Sequence, residues 1–570
     1  MTNRQYLKRK YILSLCVVLL ALAAVNWLVS SHDVRWDLTG EKRYTLSPAT
    51  RQLLRRLDGP VKIRVFMQGK FPAAFRHLQE STRELLEEFR RYAGRNIDYE
   101  FVNPLAGLPD SVQLKVKDSL AAMGIMPYNV RAQQNLSEGV SVQLIFPGAL
   151  VDYNGHELPV NLLQGQPGAD PLQTLNQAGA KLEYEFAHAI YQLQQKQPPL
   201  VGYAIGNGEP LGPEVYQTLL TVQQNYSLDT VNLVNLPFIP HDFDALLIVR
   251  PDQRFSEEEK LKLDQYVMQG GKILWFINPV NASMDSLKTK PSFIAFDRGL
   301  NLEDLLFGYG IRINPDLVQD LQCFSTPVTV GSLGNSPQIE QLPWPYYPLL
   351  SAGSDHPVVK NMDLVLGQFA SSLDTIHTPG IRHTVLLATS AYSRRIGTPV
   401  KVSLEEEKVA PDPRQFNQKH IPVAVLLEGR FSSVFRNRLS AQELAHIDSV
   451  FHHPYTTESV AGKMIVVSDA SIATNAVSLQ DGPLPMGMDP YTRQQFANRE
   501  FFLNCLSYLT GGATIMEARN KDYKLRLLDA KRVEAEKGKW VFLNFAIPIG
   551  FVLLFGLVFQ YLRQRKYSGS

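Results

Sequence analysis

Uncharged apolar stretches stand near both ends of this chain, Ile12–Val29 (ILSLCVVLLALAAVNWLV) and Trp540–Tyr561 (WVFLNFAIPIGFVLLFGLVFQY), with about five hundred mostly polar residues between them. At 18 and 22 residues they approach the roughly 20 that a helix needs to cross about 30 Å of hydrocarbon. Arg4, Lys8, Arg9 and Lys10 precede the first stretch and Arg563, Arg565 and Lys566 follow the second. Basic flanks mark the cytoplasmic side, so the expected topology is two transmembrane helices, both termini cytoplasmic, and the middle translocated. Ala21-Leu22-Ala23 also offers a signal-peptidase site. Against cleavage, the apolar run continues to Trp27, Leu28 and Val29, as in a retained anchor, and the second span holds the protein in either case. Asn26, Asn544 and Pro548 interrupt the spans with polar or helix-distorting chemistry of the kind that faces another helix. Asn26 and Asn544 are therefore candidate contacts with a helical membrane partner.

Composition narrows what lies between the spans. With 45% apolar residues and a net charge of +2, the central region can build real cores in two or more domains and lacks the basic footprint of a nucleic-acid binder. Cys16 falls in the first span, while Cys323 and Cys505 are far apart and no C-x-x-C occurs, which disfavours redox catalysis and zinc–thiolate chemistry. Cys323 and Cys505 can pair in an oxidising compartment; two unpaired, buried thiols is the preferred reading.

Ser47-Pro48 reads as a helix start, and Val61, Ile63 and Val65 alternate with Lys62 and Arg64 as in a half-buried strand. An amphipathic helix ending near Gly94, a strand Ile97–Val102, and strands Val140–Phe146 and Ala149–Tyr153 around Pro147-Gly148 follow. This order resembles the start of a thioredoxin-like domain, although the place of its cysteine pair reads Gln68-Gly69-Lys70-Phe71. A helix Ala178–Gln194 leads to a QQKQPP linker. From Pro199 strands alternate with helices: LVGYAI, Glu214–Asn225, Asp244–Val249, Ser256–Gln269, KILWFINP, then Lys463–Ser468 and Arg499–Thr510. That alternation predicts a doubly wound parallel sheet. The expected α/β architecture is a cytoplasmic N-terminus (1–11), a span (12–29), a thioredoxin-like domain (33–195), a larger α/β domain (198–515) with an irregular insertion at about 315–430, a juxtamembrane helix (516–539), a span (540–561) and a cytoplasmic tail (562–570).

Candidate sites are few. Gly206, Asn207, Gly208, Glu209 and Gly212 follow a strand and precede a helix, where backbone N–H groups can receive an anion; a tight turn is the plainer reading. Asp469 ends the MIVVSD strand, where open α/β sheets place functional groups, and Ser471 nearby suits it equally to capping. Trp344, Tyr346 and Tyr347, set among prolines in LPWPYYPLL, make either an interaction surface or a core lining. His452-His453 and Glu443-x-x-His446 do not complete a metal site, so no metal is expected. G-x-x-x-x-G-K-[ST] occurs nowhere, so ATP hydrolysis must come from a separate protein. The leucines 525, 527 and 528 in the charged 517–539 stretch suit a helix rising from the last span, either a passive stalk or an element that carries motion.

Four passages together resemble the GldG family, auxiliary, substrate-binding-like subunits of gliding-motility-associated ABC transporters. They are RWDLTGEKRYTLS with FPAAFRHLQESTRELLEEFRRY; DALLIVRPDQRFSEEEKLKLDQYVMQGGKILWFINP; LPWPYYPLL through FASSLDTI; and KLRLLDAKRVEAEKGKWVFLNF. They run from about Arg35 to Lys566. The Asp244–Pro279 passage also resembles the class I glutamine-amidotransferase-like fold, but neither Cys323 nor Cys505 sits at a nucleophile elbow. Members of the resembled family commonly show Gly-His-Gly-Glu where this chain has Gly206-Asn207-Gly208-Glu209, which weakens a catalytic reading of the turn.

The resemblance implies a non-enzymatic, cofactor-free subunit of the bacterial inner membrane with periplasmic domains. Its implied partners are a polytopic ABC permease, a cytoplasmic ATP-binding subunit and an envelope protein or glycan. The competing readings are an envelope hydrolase using Asp469 or Glu209 as acid/base and a tethered solute receptor with a ligand cleft.

Overall fold

The computed structural model describes residues 12–24, 26, 45–69, 71, 73–123, 125, 127–132, 141–163, 171–195, 197–333, 336–408, 411–440, 442–444, 447, 454–516, 518 and 530–567. The chain divides into two compact units, Met1–Asp522 and Tyr523–Ser570.

In the first unit, helix α1 (Pro48–Arg55) starts as its sequence requires. Ser47 Oγ accepts the Thr50 N–H at 3.2 Å, and Pro48 occupies the first turn, where a missing N–H costs nothing. Strand β1 (Val61–Val65) buries Val61, Ile63 and Val65 on one face. Helix α2 (Ala73–Ala93) then returns the chain to β2 (Ile97–Phe101), parallel to β1. After α3 (Asp110–Ala122), β3 (Tyr128–Ala132) and β4 (Ser141–Ile145) pair only with each other. Strand β5 (Gly148–Tyr153) runs antiparallel to β1, and β6 (His156–Asn161) closes a four-stranded sheet in the order β2-β1-β5-β6. Of the expected Val140–Phe146 strand, the described Ser141–Ile145 therefore does not complete this sheet. Pro147-Gly148 turns the chain tightly, with the Gly148 N–H donating to Phe146 O at 2.8 Å, and the place beside β5 goes to β6. Helix α4 (Pro171–Gln194) covers the sheet.

The main sheet begins with β7 (Leu200–Ile205), followed by α5 (Tyr216–Asn225), β8 (Ser227–Asn232), β9 (Ala245–Val249), α6 (Glu257–Met268) and β10 (Ile273–Phe276). Strands β11 (Cys323–Leu333), β12 (Ser336–Ala352), β13 (Ile381–Ala388), β14 (Pro422–Ser432) and β15 (Glu458–Val467) precede helix α7 (Asn498–Leu509). The order across the sheet is β11-β12-β13-β14-β15-β10-β9-β7-β8, with Val365–Leu366 pairing beside β12. The β8-β7-β9-β10-β15 half is parallel and the β15-β14-β13-β12-β11 half antiparallel. Residues 315–430 are expected to be an irregular insertion with strands such as Thr384–Ala388 and Val423–Leu427; β11 to β14 extend the main sheet, while Asp316–Asp320 pairs with Ser393–Gly397 apart from it. Prolines disguised β11 and β12, strands at the margin of the hydrogen-bond ladder.

Alternation sorts the strands into two cores. Leu247, Val249, Leu274, Phe276, Ile465 and Val467 face the α7 side, where Phe276 meets Phe502 at 5.8 Å between ring centroids. Leu246, Ile248, Ile273, Trp275, Met464 and Val466 face the α6 side, against Leu263, Tyr266 and Val267. The first core continues through Phe186 and Ile190 of α4 into Val61, Ile63 and Phe89. Two polar contacts fix α4 in that position. Lys181 Nζ reaches both Glu500 oxygens at 2.9 and 3.0 Å, and Glu183 Oε1 accepts the Ser47 N–H at 2.7 Å.

The second unit contains helix α8 (Ala530–Tyr567), unbroken from its charged start through Pro548 to its end. Its Glu536–Arg565 stretch is long and apolar enough to cross a membrane, whereas the apolar helix Ile12–Ala24 is shorter than a span. One helix of spanning length therefore stands among the described residues where two were expected. Asn26 and Asn544 are both exposed helical positions. Residues 27–29, Leu525, Leu527, Leu528, His446, His452 and His453 lie outside the described residues.

Removing Glu500 leaves a buried ammonium unanswered. Glu500→Ala is expected to lower stability by about 3 kcal/mol, while the Lys181→Met/Glu500→Leu double variant stays close to wild type. Urea denaturation of the detergent-purified chain checks both, and equal losses in the two variants would refute the stated role of the pair.

Candidate functional site

The chain leaves β7 for β8 on one side and returns to β9 on the other. The ends of β7 and β9 thus flank a topological switch point, where open α/β sheets form a crevice. After β7 comes the Gly206–Glu209 turn. Gly206 and Gly208 have φ of 123° and 80°, a region open to glycine, and a Cβ on Gly208 would lie 1.7 Å from Asp252 Oδ1.

Asn207 laces the crevice. Its carbonyl accepts the N–H groups of Asp252 (3.0 Å) and Gln253 (2.9 Å) in the loop after β9. Its Nδ2 donates to Glu259 Oε2 at 3.0 Å, and Glu259 also completes a capping box with Ser256 at the start of α6. The Asn207 N–H donates to Glu209 Oε2 at 2.8 Å. A carboxylate of the chain itself therefore occupies the N–H that was expected to receive an anion. Glu209 is 7% exposed, and its Oε1 and Asn207 Oδ1 are buried with no hydrogen-bond partner. Burial pushes the Glu209 carboxyl up to about 7. The backbone N–H bonds oppose that rise, and the nearby charges of Asp252 and Glu259 add to it.

Arg250, just after β9, has φ of 50° and reaches Glu214 Oε1 at 3.2 Å. Arg298 and Asp252 are electrostatic neighbours. None of Arg250, Asp252, Glu259 and Arg298 was singled out in the sequence. The available signals were the position after the LLIV run and the Ser256-x-x-Glu259 capping pattern.

Asp469 is fully buried at the end of β15. Its Oδ1 accepts the Ser471 N–H at 2.9 Å, capping the 3-10 turn Ala470–Ala473, and its Oδ2 accepts the Gln368 N–H at 2.7 Å. Burial raises its carboxyl to about 6. Two strands separate β7 from β15, so at about 4.8 Å per strand the two strand ends are roughly 14 Å apart. Glu209 and Asp469 do not come together as an acid/base pair.

Trp344, Tyr346 and Tyr347 are 1%, 2% and 7% exposed. They surround Phe369, with Trp344 at 5.3 Å and both tyrosines at 5.8 Å between centroids. Of the two readings the sequence leaves open for them, their burial fits the core lining, which Phe369 completes from another segment. Cys505 is buried, which raises its thiol, and it is not bonded to Cys323. Among the described residues no group of three His, Cys, Asp or Glu side chains is placed to hold a metal ion.

The family described as ABC-type uncharacterized transport system matches residues 198–505, more than half of the chain, and DUF7088, a domain of unknown function, matches residues 40–152. No curated protein matches the chain. Similar solved structures include the mmIFT52 N-terminal domain, at 12% identity and a TM-score of 0.30 over 55% of this chain and 98% of that one. A protein described as thua-like from Parabacteroides merdae ATCC 43184 matches at 10% identity and a TM-score of 0.25, over 56% and 91%. The exo-beta-1,4-mannosidase Op5Man5 from Opitutaceae bacterium strain TAV5 matches at 12% identity and 0.20, over 82% and 55%. Likenesses this remote carry no argument about function.

The raised Glu209 carboxyl fixes the sign of a pH effect. A group near 4.5 when unfolded and about 7 when folded contributes stability that is full below pH 4.5 and lost as pH rises through 7. The loss is about 3 kcal/mol. Glu209→Gln is expected to flatten that slope between pH 5 and 8, leaving a shallower one from Asp469. Denaturation midpoints across that range check it, and an unchanged slope in the variant would contradict the assignment.

Proposed function

We propose that this chain, which belongs to the ABC-type uncharacterized transport system family, is a membrane-anchored, non-enzymatic auxiliary subunit that couples a polytopic permease and a cytoplasmic ATP-binding subunit to domains binding cargo or envelope partners. The observation that carries this reading is the family match across residues 198–505, joined to the membrane-length stretch Glu536–Arg565 in the same chain. The sequence lacks a P-loop, so the ATPase has to be another polypeptide.

The finer parts of the reading rest on separate supports. A link to gliding motility rests on the resemblance of four sequence passages to the GldG family. A two-pass inner-membrane topology, with cytoplasmic termini and a periplasmic bulk, is supported by the basic residues outside both apolar stretches. The thioredoxin-like assignment is supported by the strand order β2-β1-β5-β6 with β1 and β2 parallel. The amidotransferase-like assignment is supported by the parallel half of the main sheet. The proposed domain limits remain 33–195 and 198–515. Separation of Glu209 from Asp469 supports a binding role over the hydrolase alternative, since general acid/base work needs groups converging on one substrate.

Mild-detergent purification of the tagged full-length chain from native membranes is expected to recover a polytopic permease, a nucleotide-binding protein and ATPase activity. A lone, ATPase-free chain would overturn the transporter reading. Reporter fusions at both termini and within residues 198–515 test the topology, with cytoplasmic activity expected only at the termini.

A further inference from the structure

We propose that the crevice between the ends of β7 and β9 binds a ligand through a hydrogen-bond-donating cation, an alkylammonium or guanidinium group, received by Asn207 Oδ1 and Glu209 Oε1. Both atoms are buried acceptors without a donor, in side chains 2% and 7% exposed. Neither is free to turn away. The bond from Asn207 Nδ2 to Glu259 settles which end of the amide is oxygen, the two N–H bonds from Asp252 and Gln253 hold the Asn207 backbone, and the Asn207 N–H holds the other Glu209 oxygen.

The polarity of the ligand follows from what surrounds these atoms. Asp252, from the loop after β9, and Glu259, from α6, both bear on Glu209 with negative charge. Arg250 and Glu214 form an ion pair with each other beside Tyr203, and Arg298, set against Asp252 and Arg250, donates to Asn281 at 3.4 Å while its Nε is buried without a partner. Among the described residues no ion pair involves Glu209. At the two orphaned oxygens an anion would meet only acceptors and an N–H already in use, whereas a cation with N–H groups satisfies both. Exposed Leu211 and Val234 flank the turn, and Val234 Cγ2 lies 2.9 Å from where a Cβ on Gly206 would stand. They offer apolar contact to the ligand's alkyl part.

Cation and proton compete for Glu209. With its carboxyl near 7, the ionised fraction falls about tenfold from pH 8 to pH 6, and affinity falls with it. The test titrates n-butylammonium chloride into the full-length chain in mild detergent, with sodium butyrate and sodium chloride at matched ionic strength, and reads the unfolding midpoint. A saturable rise is expected with butylammonium alone, half-maximal at about tenfold higher concentration at pH 6 than at pH 8, and weakened at least tenfold in Glu209→Gln. Asp252→Asn, altered at an exposed position, is expected to move the pH profile downward, and it serves if Glu209→Gln does not fold. An equal response to butyrate, a response without saturation or pH dependence, or full binding in Glu209→Gln overturns the proposal and leaves the proton as the only ligand. The inference stands apart from the transporter assignment: a chain that recovers no ATPase is still expected to bind butylammonium.

Discussion

Water reaches the central strands of this protein from neither side, and the rest of the body is arranged to keep it so. ALLIV of β9 and ILWF of β10 are buried at every residue, as a parallel sheet requires of its interior strands. Both faces must be covered or the apolar residues of one face are lost to solvent. Helix α6 supplies one cover. The other comes from α7 and, through α4, from the four-stranded sheet, so that sheet and the main sheet share one apolar core. The Lys181–Glu500 pair lies where these parts meet, a place where removing Glu500 is costly because the buried Lys181 ammonium has little access to water.

The same burial shapes the chemistry at the strand ends. Asp469 and Glu209 are both carboxyls withdrawn from solvent, and both titrate high for that reason. Their surroundings differ in one respect. Each Asp469 oxygen accepts a backbone N–H, so it serves as a cap, whereas Glu209 has one oxygen held and one unanswered. An unanswered buried acceptor costs about 1–3 kcal/mol, and that cost makes the turn after β7 the informative end of the sheet.

What could be read from the sequence was local. The apolar runs of β9 and β10, the Ser256 cap and the glycine turn after β7 announce themselves within a few residues. What could not be read depends on partners brought from far along the chain. Trp344 faces a core because Phe369 meets it, and no pattern inside LPWPYYPLL reports that meeting. Asp252 and Glu259 converge on Asn207 only because β9 lies beside β7. Thr384–Ala388 and Val423–Leu427 read as strands, while the proline-bearing β11 and β12 do not, and the place of all four in the sheet follows from the pairing of β14 with β15, which comes later in sequence.

Helix α8 carries an aromatic residue at either end of its apolar run, Trp540 and Tyr561, both exposed. Aromatic rings of this kind settle at the headgroup level of a bilayer. Their separation along a straight helix is about 32 Å, close to the roughly 30 Å of hydrocarbon. Set across a bilayer, such a helix would resist sliding in either direction, since any vertical step would pull one ring into the acyl chains. Turning about its own axis disturbs neither ring. In that setting torsion would cost this helix less than piston movement.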